Sequence, residues 1–386
     1  MIKKISLSLL LSVCITLLTA QTLQEYVHCF STDSLIDLIV EQQSTGTDYF
    51  DEGMFPSYRQ HTMSNKFWKD ENLFFSQIIL FTLGNYIEYF DERQDSLYNS
   101  MRIKMIKNYP KFKNPDGRNT YNFWKTNPSD HFPNSPFFSK HRKFKIPDDM
   151  DDTSIAFMIL DADSIALQEL KQEMIKHTNQ YKLQVKNIFK RYRNYQAYST
   201  WFGENMPIEF DICVLANILY MVHYFDLELN HYDRESLDML EAMIKSGDHL
   251  KYSEYLSPNY KSNTLVLYHL GRFIADCKPA QLMPCIPQLK AEIKQEMKKN
   301  KSFMELVLLS STLMKLGEQP EEYILHKRID YNEEFYPFYV ANMASMMTDP
   351  LKRWFAKTDL FSINYVCPAY NYVMILENKM LRLKFE

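Results

Sequence analysis

Apolar residues recur along the chain with the period of an α-helix, and short polar breaks separate the apolar stretches. The spacing i, i+3, i+4 and i+7 is first seen around Leu35, Leu38 and Ile39, and it places apolar side chains on one helix face. Windows of the same kind predict helices over 70–107, 153–192, 208–225, 234–246, 262–276, 279–299, 301–316, 334–347 and 368–385.

The breaks between these helices are clusters of Pro, Asn, Asp and Ser, and no Gly/Ser-rich or Pro-rich linker divides the chain. We therefore expect a single domain over 21–386. It comprises N-terminal helices over 21–110, a long loop rich in aromatic residues and proline over 111–147, and a helical remainder over 148–386. Ten or more helices in antiparallel succession predict an all-α fold, an α/α toroid or solenoid.

The first twenty residues have the layout of a secretory signal peptide. Lys3 and Lys4 precede an apolar run from Ile5 to Leu18, and the small residue Ala20 follows. The run is shorter than the roughly 20 apolar residues that span a bilayer. We expect cleavage near Ala20 and a mature protein that is exported to the periplasm or the outside of the cell.

Composition excludes several classes of function. The chain has 44 Lys and Arg against 48 Asp and Glu, a formal net charge of −4, so it lacks the basic excess of proteins that bind nucleic acid. With 8 glycines and no Gly-rich phosphate loop, a nucleotide-binding P-loop or Rossmann enzyme is excluded. The 26 Phe and 26 Tyr indicate an interior rich in aromatic rings.

Five cysteines lie beyond the first twenty residues, without any CxxC pair or dense disulfide framework. Cys277 and Cys285 flank a short Pro-containing segment, so they would pair in an oxidising compartment or remain free thiols. Free, buried thiols are the interpretation we favour.

Four carboxylates, Asp148, Asp149, Asp151 and Asp152, stand immediately before an apolar helical stretch. A helix N-terminus favours such residues because Asp accepts hydrogen bonds from free backbone N–H groups and interacts well with the helix dipole. Those effects account for one or two of the acids. Four in five positions indicate an additional role.

The segment Asp149 to Thr153, with the sequence DMDDT, resembles the DxDDT motif of class II terpene cyclases. These enzymes belong to the terpenoid cyclase and protein prenyltransferase superfamily of α/α toroids. Two later segments are similar to conserved regions of the same toroids and follow in the expected order: 206–219, which contains Asp211 and Asn217, and 255–272, which contains Tyr255, Ser257, Pro258, Tyr268 and Arg272.

The resemblance implies that Asp151 is a Brønsted acid that protonates an alkene or epoxide, with Asp149 and Asp152 as the neighbours that tune it. Crowded carboxylates cannot all ionise, so one of them keeps a proton near neutral pH. The implied substrate is an isoprenoid or lipid-like small molecule, with no required cofactor and with a peripheral membrane contact as a further expectation. The substrate pocket is predicted to include Tyr121, Phe123, Trp124, Trp201, Phe202, Asp211, Asn217 and Tyr255.

Alternative chemistries use the same residues. The string Asp148 to Asp152 also fits a DDxxD pattern for Mg²⁺ and diphosphate, although no second metal motif accompanies it. Asp211, Cys213 and His269 would form a zinc site like that of prenyltransferase β-subunits. Asp151 paired with Asp211 or Glu209 suits an exported carbohydrate-active toroid enzyme. The remaining alternative is a helical module that binds a lipid or a partner without catalysis.

Overall fold

The computed structural model describes residues 22–129, 132, 145–203, 206–299, 301–323, 325 and 336–385. The predicted signal peptide and much of the second half of the 111–147 loop lie outside these residues. The α-helices are α1 (Leu23–His28), α2 (Thr32–Gln42), α3 (Leu73–Gly84), α4 (Glu92–Ile106), α5 (Tyr109–Phe112), α6 (Met150–Ile159), α7 (Ser164–Ile175), α8 (Ile212–Tyr224), α9 (His231–Ser246), α10 (Asp248–Lys251), α11 (Ser253–Leu256), α12 (Asn263–Cys277), α13 (Ile286–Met297), α14 (Phe303–Lys315), α15 (Leu351–Phe355) and α16 (Pro368–Leu383).

The polar breaks seen in the sequence become helix N-caps. At nine helix starts a side-chain oxygen accepts a hydrogen bond from the backbone of the first turn, which satisfies N–H groups that have no partner within the helix. The capping residues are Thr22, Ser31, Asn72, Asp91, Asp149, Asp163, Asp211, Asn230 and Ser302.

Six helices form a closed succession of contacts at the centre of the molecule. α3 packs against α6, α6 against α8, α8 against α12, α12 against α14, α14 against α16, and α16 returns to α3. These helices are buried on nearly all sides, as expected for helices that are apolar around their whole circumference. We call this set the central ring.

The remaining long helices lie outside the central ring. α2 packs against α16, α4 against α3, α9 against α8, and α13 against α12 and α14. Each buries one stripe only; in α9 the buried positions include Leu237, Leu240 and Ile244. This amphipathic pattern is the one that the sequence shows at i, i+3, i+4 and i+7.

The central helices run in the same direction, so their N-termini meet at one end of the ring. Thr264 at the start of α12 hydrogen-bonds to Glu305 at the start of α14 over 3.2 Å. At the other end, the rings of Phe81 in α3 and Tyr220 in α8 lie 5.2 Å apart. The acidic string therefore lies at the N-terminal end of the ring.

The fold is not all-α, which corrects the expectation from the sequence. Strands β1 (Ser57–His61), β2 (Trp68–Asp70), β5 (Pro337–Asn342) and β6 (Ser362–Val366) form an antiparallel sheet in the order β2-β1-β6-β5, and β3 (Asp148–Asp149) pairs with β4 (Trp201–Phe202). The larger sheet joins residues 57–70 to residues 337–366. It lies over the N-terminal end of the ring, because β5 hydrogen-bonds to residues 258–259 just before α12.

The helix predicted over 334–347 was wrong in its described part. Residues 337–342 form β5, and a 3₁₀ turn follows at Met343–Met346. The sequence PFYVAN alternates half-buried and buried positions, a period of two, and it is rich in residues that favour strands.

Two other predicted helices are shorter than expected. The window 70–107 contains two helices, α3 and α4, which are separated by a turn, and 153–192 contains α6 and α7 followed by mostly irregular chain. No helix in the described residues is long and apolar enough to cross a membrane.

Candidate acid site at the end of the helical ring

The acidic string forms the junction between β3 and α6. Asp148 and Asp149 pair with Phe202 and Trp201, and α6 begins at the next residue. The Oδ1 atom of Asp149 accepts a hydrogen bond from the backbone N–H of Asp152 at 2.7 Å, which makes Asp149 the N-cap. All four aspartates of the string are buried. Helix capping accounts for Asp149 only, and the carboxyls of the other three aspartates have different partners.

Asp151 points into the central ring, where two neutral donors bind its carboxyl. Asn217 of α8 donates its side-chain N–H to Oδ1 at 2.6 Å, and the Tyr260 hydroxyl donates to Oδ2 at 2.5 Å. Burial raises the pKa of Asp151 above its ordinary value, while these two hydrogen bonds and the charge of Arg272 act in the opposite direction. The carboxyl is thus held in place in either protonation state.

Arg272 supports this arrangement from α12. Its guanidinium donates to the Oδ1 atom of Asn217 and lies over the rings of Phe81, Tyr220 and Tyr268, at 5.3, 5.8 and 5.5 Å from their centroids. The aromatic faces stabilise the buried cation. Arg272 fixes the orientation of the Asn217 amide, and its N–H donor therefore points at Asp151.

Asp149 and Asp152 form a second, coupled pair of carboxyls. Burial is the main cause that raises the pKa of both. The charge of Asp151 raises the pKa of Asp149 further, to about 8, and the charge of Asp149 raises the pKa of Asp152. A hydrogen bond between the two carboxyls raises the pKa of Asp152 and lowers that of Asp149, so Asp152 is the partner that holds a proton. Gln77 of α3 donates to Oδ1 of Asp152 at 2.6 Å and to its carbonyl at 3.1 Å.

Asp148 has a different environment from the other three acids. Its carboxyl accepts hydrogen bonds from Asn114, from the Thr120 hydroxyl at 2.5 Å and from Asn122 at 3.3 Å. All three donors lie on the loop that follows α5. Asp148 therefore fastens this loop to the ring, which is a structural role.

Aromatic rings surround the Asp151 carboxyl on the side of the sheet. The ring of Tyr260 lies 4.3 Å from His269, 6.3 Å from Phe338 and 5.6 Å from Tyr339. His269 donates its Nδ1 hydrogen to the Leu265 carbonyl at 2.8 Å, and its buried Nε2 has no hydrogen-bond partner among the described residues. Burial lowers the pKa of His269 well below its ordinary value, so the imidazole is neutral.

Several residues predicted for the pocket lie beside the acids. Asn217 contacts Asp151 directly, and Trp201 and Phe202 are paired with the Asp148–Asp149 strand. Tyr121 contacts the junction through its backbone: its carbonyl accepts from the Asp149 N–H at 3.2 Å.

The other predicted pocket residues have different partners. Trp124 donates its indole N–H to Asp70 of β2 at 3.2 Å, and Tyr255 donates to Asp349 at 2.9 Å. Phe123 stacks on Tyr339 with 5.3 Å between ring centroids. Phe123 thus touches a ring that borders the acids, whereas Trp124 and Tyr255 pack elsewhere.

Asp211 is the N-cap of α8, and its carboxyl accepts four hydrogen bonds. It accepts hydrogen bonds from the backbone N–H groups of Cys213, Val214 and Asn259 at 2.8, 3.3 and 2.9 Å and from the Ser257 hydroxyl at 2.6 Å. Burial raises its pKa to about 7, although these hydrogen bonds act against the shift. The arrangement joins the start of α8 to the chain before α12.

The residues of the zinc alternative lie close together but have other partners. The Cys213 thiol accepts from Ser257 at 3.2 Å, and it shares the Leu265 carbonyl with His269. No group of three or more His, Cys, Asp or Glu side chains in the described part of the chain is arranged to hold a metal ion. Cys277 and Cys285 are free thiols.

Sequence analysis missed four residues of the site. Tyr260, Gln77, Phe338 and Tyr339 contact the acids or the ring of Tyr260. The sequence could have indicated Gln77, because it is a polar amide within the largely apolar stretch of α3, and a buried amide needs a hydrogen-bond partner. Nothing indicated Phe338 and Tyr339, since their segment was predicted to be helical.

The buried side chains of Tyr260 and Phe338 lie beside the acids, with the ring of Tyr339 next to them. Two surface hollows of about 390 and 210 Å³ lie elsewhere, one beside Thr22 and Glu25 and the other beside Glu52 and Lys104. A ligand that reaches Asp151 therefore has to displace Tyr260 or the rings of β5.

Comparisons with known proteins returned no relative of this chain: no family model, no curated protein and no solved structure matches it.

Proposed function

We propose that the chain is an α/α toroid of the terpenoid cyclase and prenyltransferase type, and that it protonates an isoprenoid or lipid-like substrate to start a cyclisation or an isomerisation. The closed succession of six central helices with amphipathic helices outside supports the toroid. The motif resemblance at Asp149 to Thr153 supports the reaction class.

One observation carries the proposal: three carboxyls with raised pKa lie buried together at one end of an aromatic-rich helical ring. Burial of a charged carboxylate is costly, so burial raises the pKa of these acids, and a buried carboxyl with a raised pKa is a candidate general acid. Once a hydrocarbon substrate has displaced Tyr260 or the rings of β5, the surrounding aromatic faces would stabilise a carbocation beside Asp151.

The proposed reaction needs only the protein's own groups. The Asp151 carboxyl transfers its proton to one carbon of a double bond, the π electrons form the new C–H bond, and the neighbouring carbon becomes cationic. A second double bond attacks this carbon and closes a ring. Loss of a proton from an adjacent carbon, back to a carboxylate, ends the reaction, so the product is an isomer of the substrate and no cofactor is consumed.

The hydrogen bonds of Asp151 assist the forward step. Tyr260 and Asn217 both donate to its carboxyl, and Arg272 adds a positive charge nearby, so they stabilise the carboxylate that forms when the proton leaves. Stabilisation of the conjugate base strengthens the acid. Tyr260 and Asn217 do not donate to the Asp149–Asp152 pair. This pair retains a proton next to Asp151 and can return it to the Asp151 carboxylate.

Two alternatives are less well supported. A carbohydrate-active enzyme would need Asp211 or Glu209 as a free second carboxylate. The Asp211 carboxylate is occupied by four donors at the start of α8. The Glu209 side chain is buried and accepts hydrogen bonds from Trp201 and Asn259 at 3.2 and 3.3 Å. A binding module without catalysis would not need three acids of raised pKa in its interior.

The test is turnover of linear isoprenoids. We expect the protein to convert at least one neutral, phosphorylated or diphosphorylated isoprenoid into a product of equal mass and different chromatographic retention, detected by mass spectrometry. The Asp151→Asn variant should lose about 100-fold or more of this activity, because an amide cannot donate the proton. Turnover should persist in EDTA, whereas the magnesium and zinc alternatives predict its loss.

The matched control is Asp163→Asn. Asp163 is an exposed N-cap at the start of α7, and asparagine caps helices as well as aspartate does. Full activity of Asp163→Asn beside an inactive Asp151→Asn supports the proposal. Bound lipid without any product would identify a carrier instead, and equal activity of both variants would contradict the role of Asp151.

A further inference from the structure

Exposed apolar side chains concentrate on two segments of the chain. Seventeen large apolar side chains are exposed among the described residues, and eight of them lie in 61–70 and 343–361, which together hold fewer than one in ten residues of the chain. We call these eight the apolar patch: Met63, Phe67, Trp68, Met343, Met346, Leu351, Trp354 and Leu360.

The sheet joins the two segments into one surface. The Thr62 N–H donates to the Ser362 carbonyl at 3.2 Å, and the His61 ring contacts the Leu360 carbonyl at 3.0 Å. The turn after β1 therefore lies against the start of β6.

The second segment is held together in the same way. The Asn342 side chain donates to the Ala356 carbonyl at 3.0 Å, and the rings of Phe355 and Phe361 lie 5.2 Å apart. These contacts keep the 3₁₀ turn at Met343–Met346, α15 and the residues before β6 side by side. The patch therefore lies on ordered chain that is held by tertiary contacts.

Basic side chains accompany the patch. Lys66, Lys69, Arg353 and Lys357 are exposed in the two segments, although the chain as a whole has a net charge of −4. Asp359 is the only exposed acid there, and the half-buried Asp349 pairs with Arg353 at 3.0 Å. The Lys66 ammonium lies 3.5 Å from the centroid of the Trp68 ring. The patch is therefore locally basic on an acidic protein.

We propose that the apolar patch docks the protein onto the surface of a membrane that contains anionic phospholipids. Tryptophan and aliphatic side chains enter the interfacial layer, while lysines reach the phosphate groups. A protein partner fits less well, because lysine is depleted at the centres of protein–protein interfaces. This proposal is independent of the proposed reaction, although a lipid-like substrate would be encountered at such a surface.

Vesicle binding by the full chain tests the proposal. The protein is sedimented with vesicles of phosphatidylcholine alone and of phosphatidylcholine mixed with phosphatidylglycerol. We expect binding to the mixed vesicles that weakens as salt is added, because salt screens the lysines. The patch variant Leu351→Ser/Trp354→Ser/Leu360→Ser should bind about tenfold more weakly or worse, since three side chains no longer leave water.

The control variant changes three equally exposed apolar residues elsewhere. Ile103, Ile165 and Leu183 are 58%, 68% and 51% exposed, compared with 45%, 68% and 49% for Leu351, Trp354 and Leu360. The variant Ile103→Ser/Ile165→Ser/Leu183→Ser should bind as the unchanged protein does. All variants carry the same N-terminal segment, so any contribution from that segment is common to them.

Tryptophan fluorescence gives a local readout of the same contact. The chain has four tryptophans, of which Trp68 and Trp354 belong to the patch and Trp124 is buried. Phospholipids with brominated acyl chains should quench the bound protein, and the variant Trp68→Phe/Trp354→Phe should bind with little quenching.

Three results would overturn the proposal. They are absence of quenching in a bound protein, equal weakening by the patch variant and the control variant, and failure to bind either kind of vesicle. A concentration-dependent dimer that is lost in the patch variant, without vesicle binding, would assign the surface to a second copy of the chain instead.

Discussion

Asp152 differs from its neighbours because it shares a hydrogen bond with another carboxyl while it accepts one from Gln77. A protonated Asp152 and an asparagine present the same donors and acceptors to these partners. Asp152→Asn should therefore imitate the protonated state, whereas Asp152→Ala removes the side-chain acceptor of the Gln77 amide and keeps only the backbone carbonyl.

We expect the free energy of unfolding of the unchanged protein to fall as the pH rises from about 5 to 8. Buried acids with a raised pKa keep a proton in the folded state that the unfolded state has already released. Their stabilising effect is complete below the unfolded pKa of about 4 and is lost as the pH rises through the folded pKa. Asp152→Asn should reduce this slope and should be about 1–3 kcal/mol more stable than the unchanged protein at pH 8.

Urea unfolding at several pH values measures this effect. At pH 5, Asp152→Asn should have the same free energy of unfolding as the unchanged protein. Asp152→Ala should be about 1–3 kcal/mol less stable, because the buried Gln77 amide has lost its side-chain acceptor. A free energy of unfolding that does not change between pH 5 and 8 would show that the carboxyls are ionised in the folded protein.

At this scale, sequence reasoning identified part of the site. The density of acids beside an apolar helix singled out Asp149, Asp151 and Asp152, and the structure buries all three. Asn217, which the resemblance also singled out, donates a hydrogen bond to Asp151. Trp124 and Tyr255 were predicted for the pocket largely because they are aromatic, and they bind Asp70 and Asp349 instead. An abundance of aromatic residues does not show which rings face a site.

At the scale of elements, α12 and α14 pack closely because residue 271 is glycine. A Cβ atom at Gly271 would lie 2.2 Å from the Cγ2 methyl group of Thr312. The Thr312 hydroxyl donates to the Leu308 carbonyl at 2.7 Å, which holds the rotamer that places this methyl group at the contact.

We expect Gly271→Ala to destabilise the protein by about 1–3 kcal/mol, because the added methyl group separates two buried helices. Thr312→Ser keeps the hydroxyl and removes the methyl group. It should therefore recover about 1 kcal/mol or more when combined with Gly271→Ala, as measured by urea unfolding of all four proteins in a double-mutant cycle. Full stability of Gly271→Ala alone would contradict the close contact between the helices.

The helices were more predictable than the strands for a physical reason. An amphipathic helix such as α9 shows its period over four turns, and its caps are local in sequence. β5 is short and pairs with β6, which lies beyond α15 in the chain. The conformation of β5 depends on this pairing, which is not apparent from the local sequence. Its apolar residues therefore fitted a helical period as well as a strand period.

At the scale of the whole molecule, the central ring brings together residues that are far apart in sequence. Asp151, Asn217, Tyr260 and Arg272 come from three separate parts of the chain and meet only because α6, α8 and α12 are successive members of the ring. Helical periodicity predicted α8 and α12 at approximately their positions, and it combined α6 with α7 in one window. It did not predict their order around the ring or the sheet that covers one end.

Transfer of a solvent-derived proton to carbon tests the central claim most directly. The protein is equilibrated in D₂O, so that deuterium replaces the exchangeable protons of its carboxyls, and is then supplied with the linear isoprenoids of the turnover test. We predict a product with one deuterium on carbon, seen as a single mass-unit increase that survives return to ordinary water, and no such product from Asp151→Asn. Products that carry no deuterium, or labelling that persists in Asp151→Asn, would contradict the account.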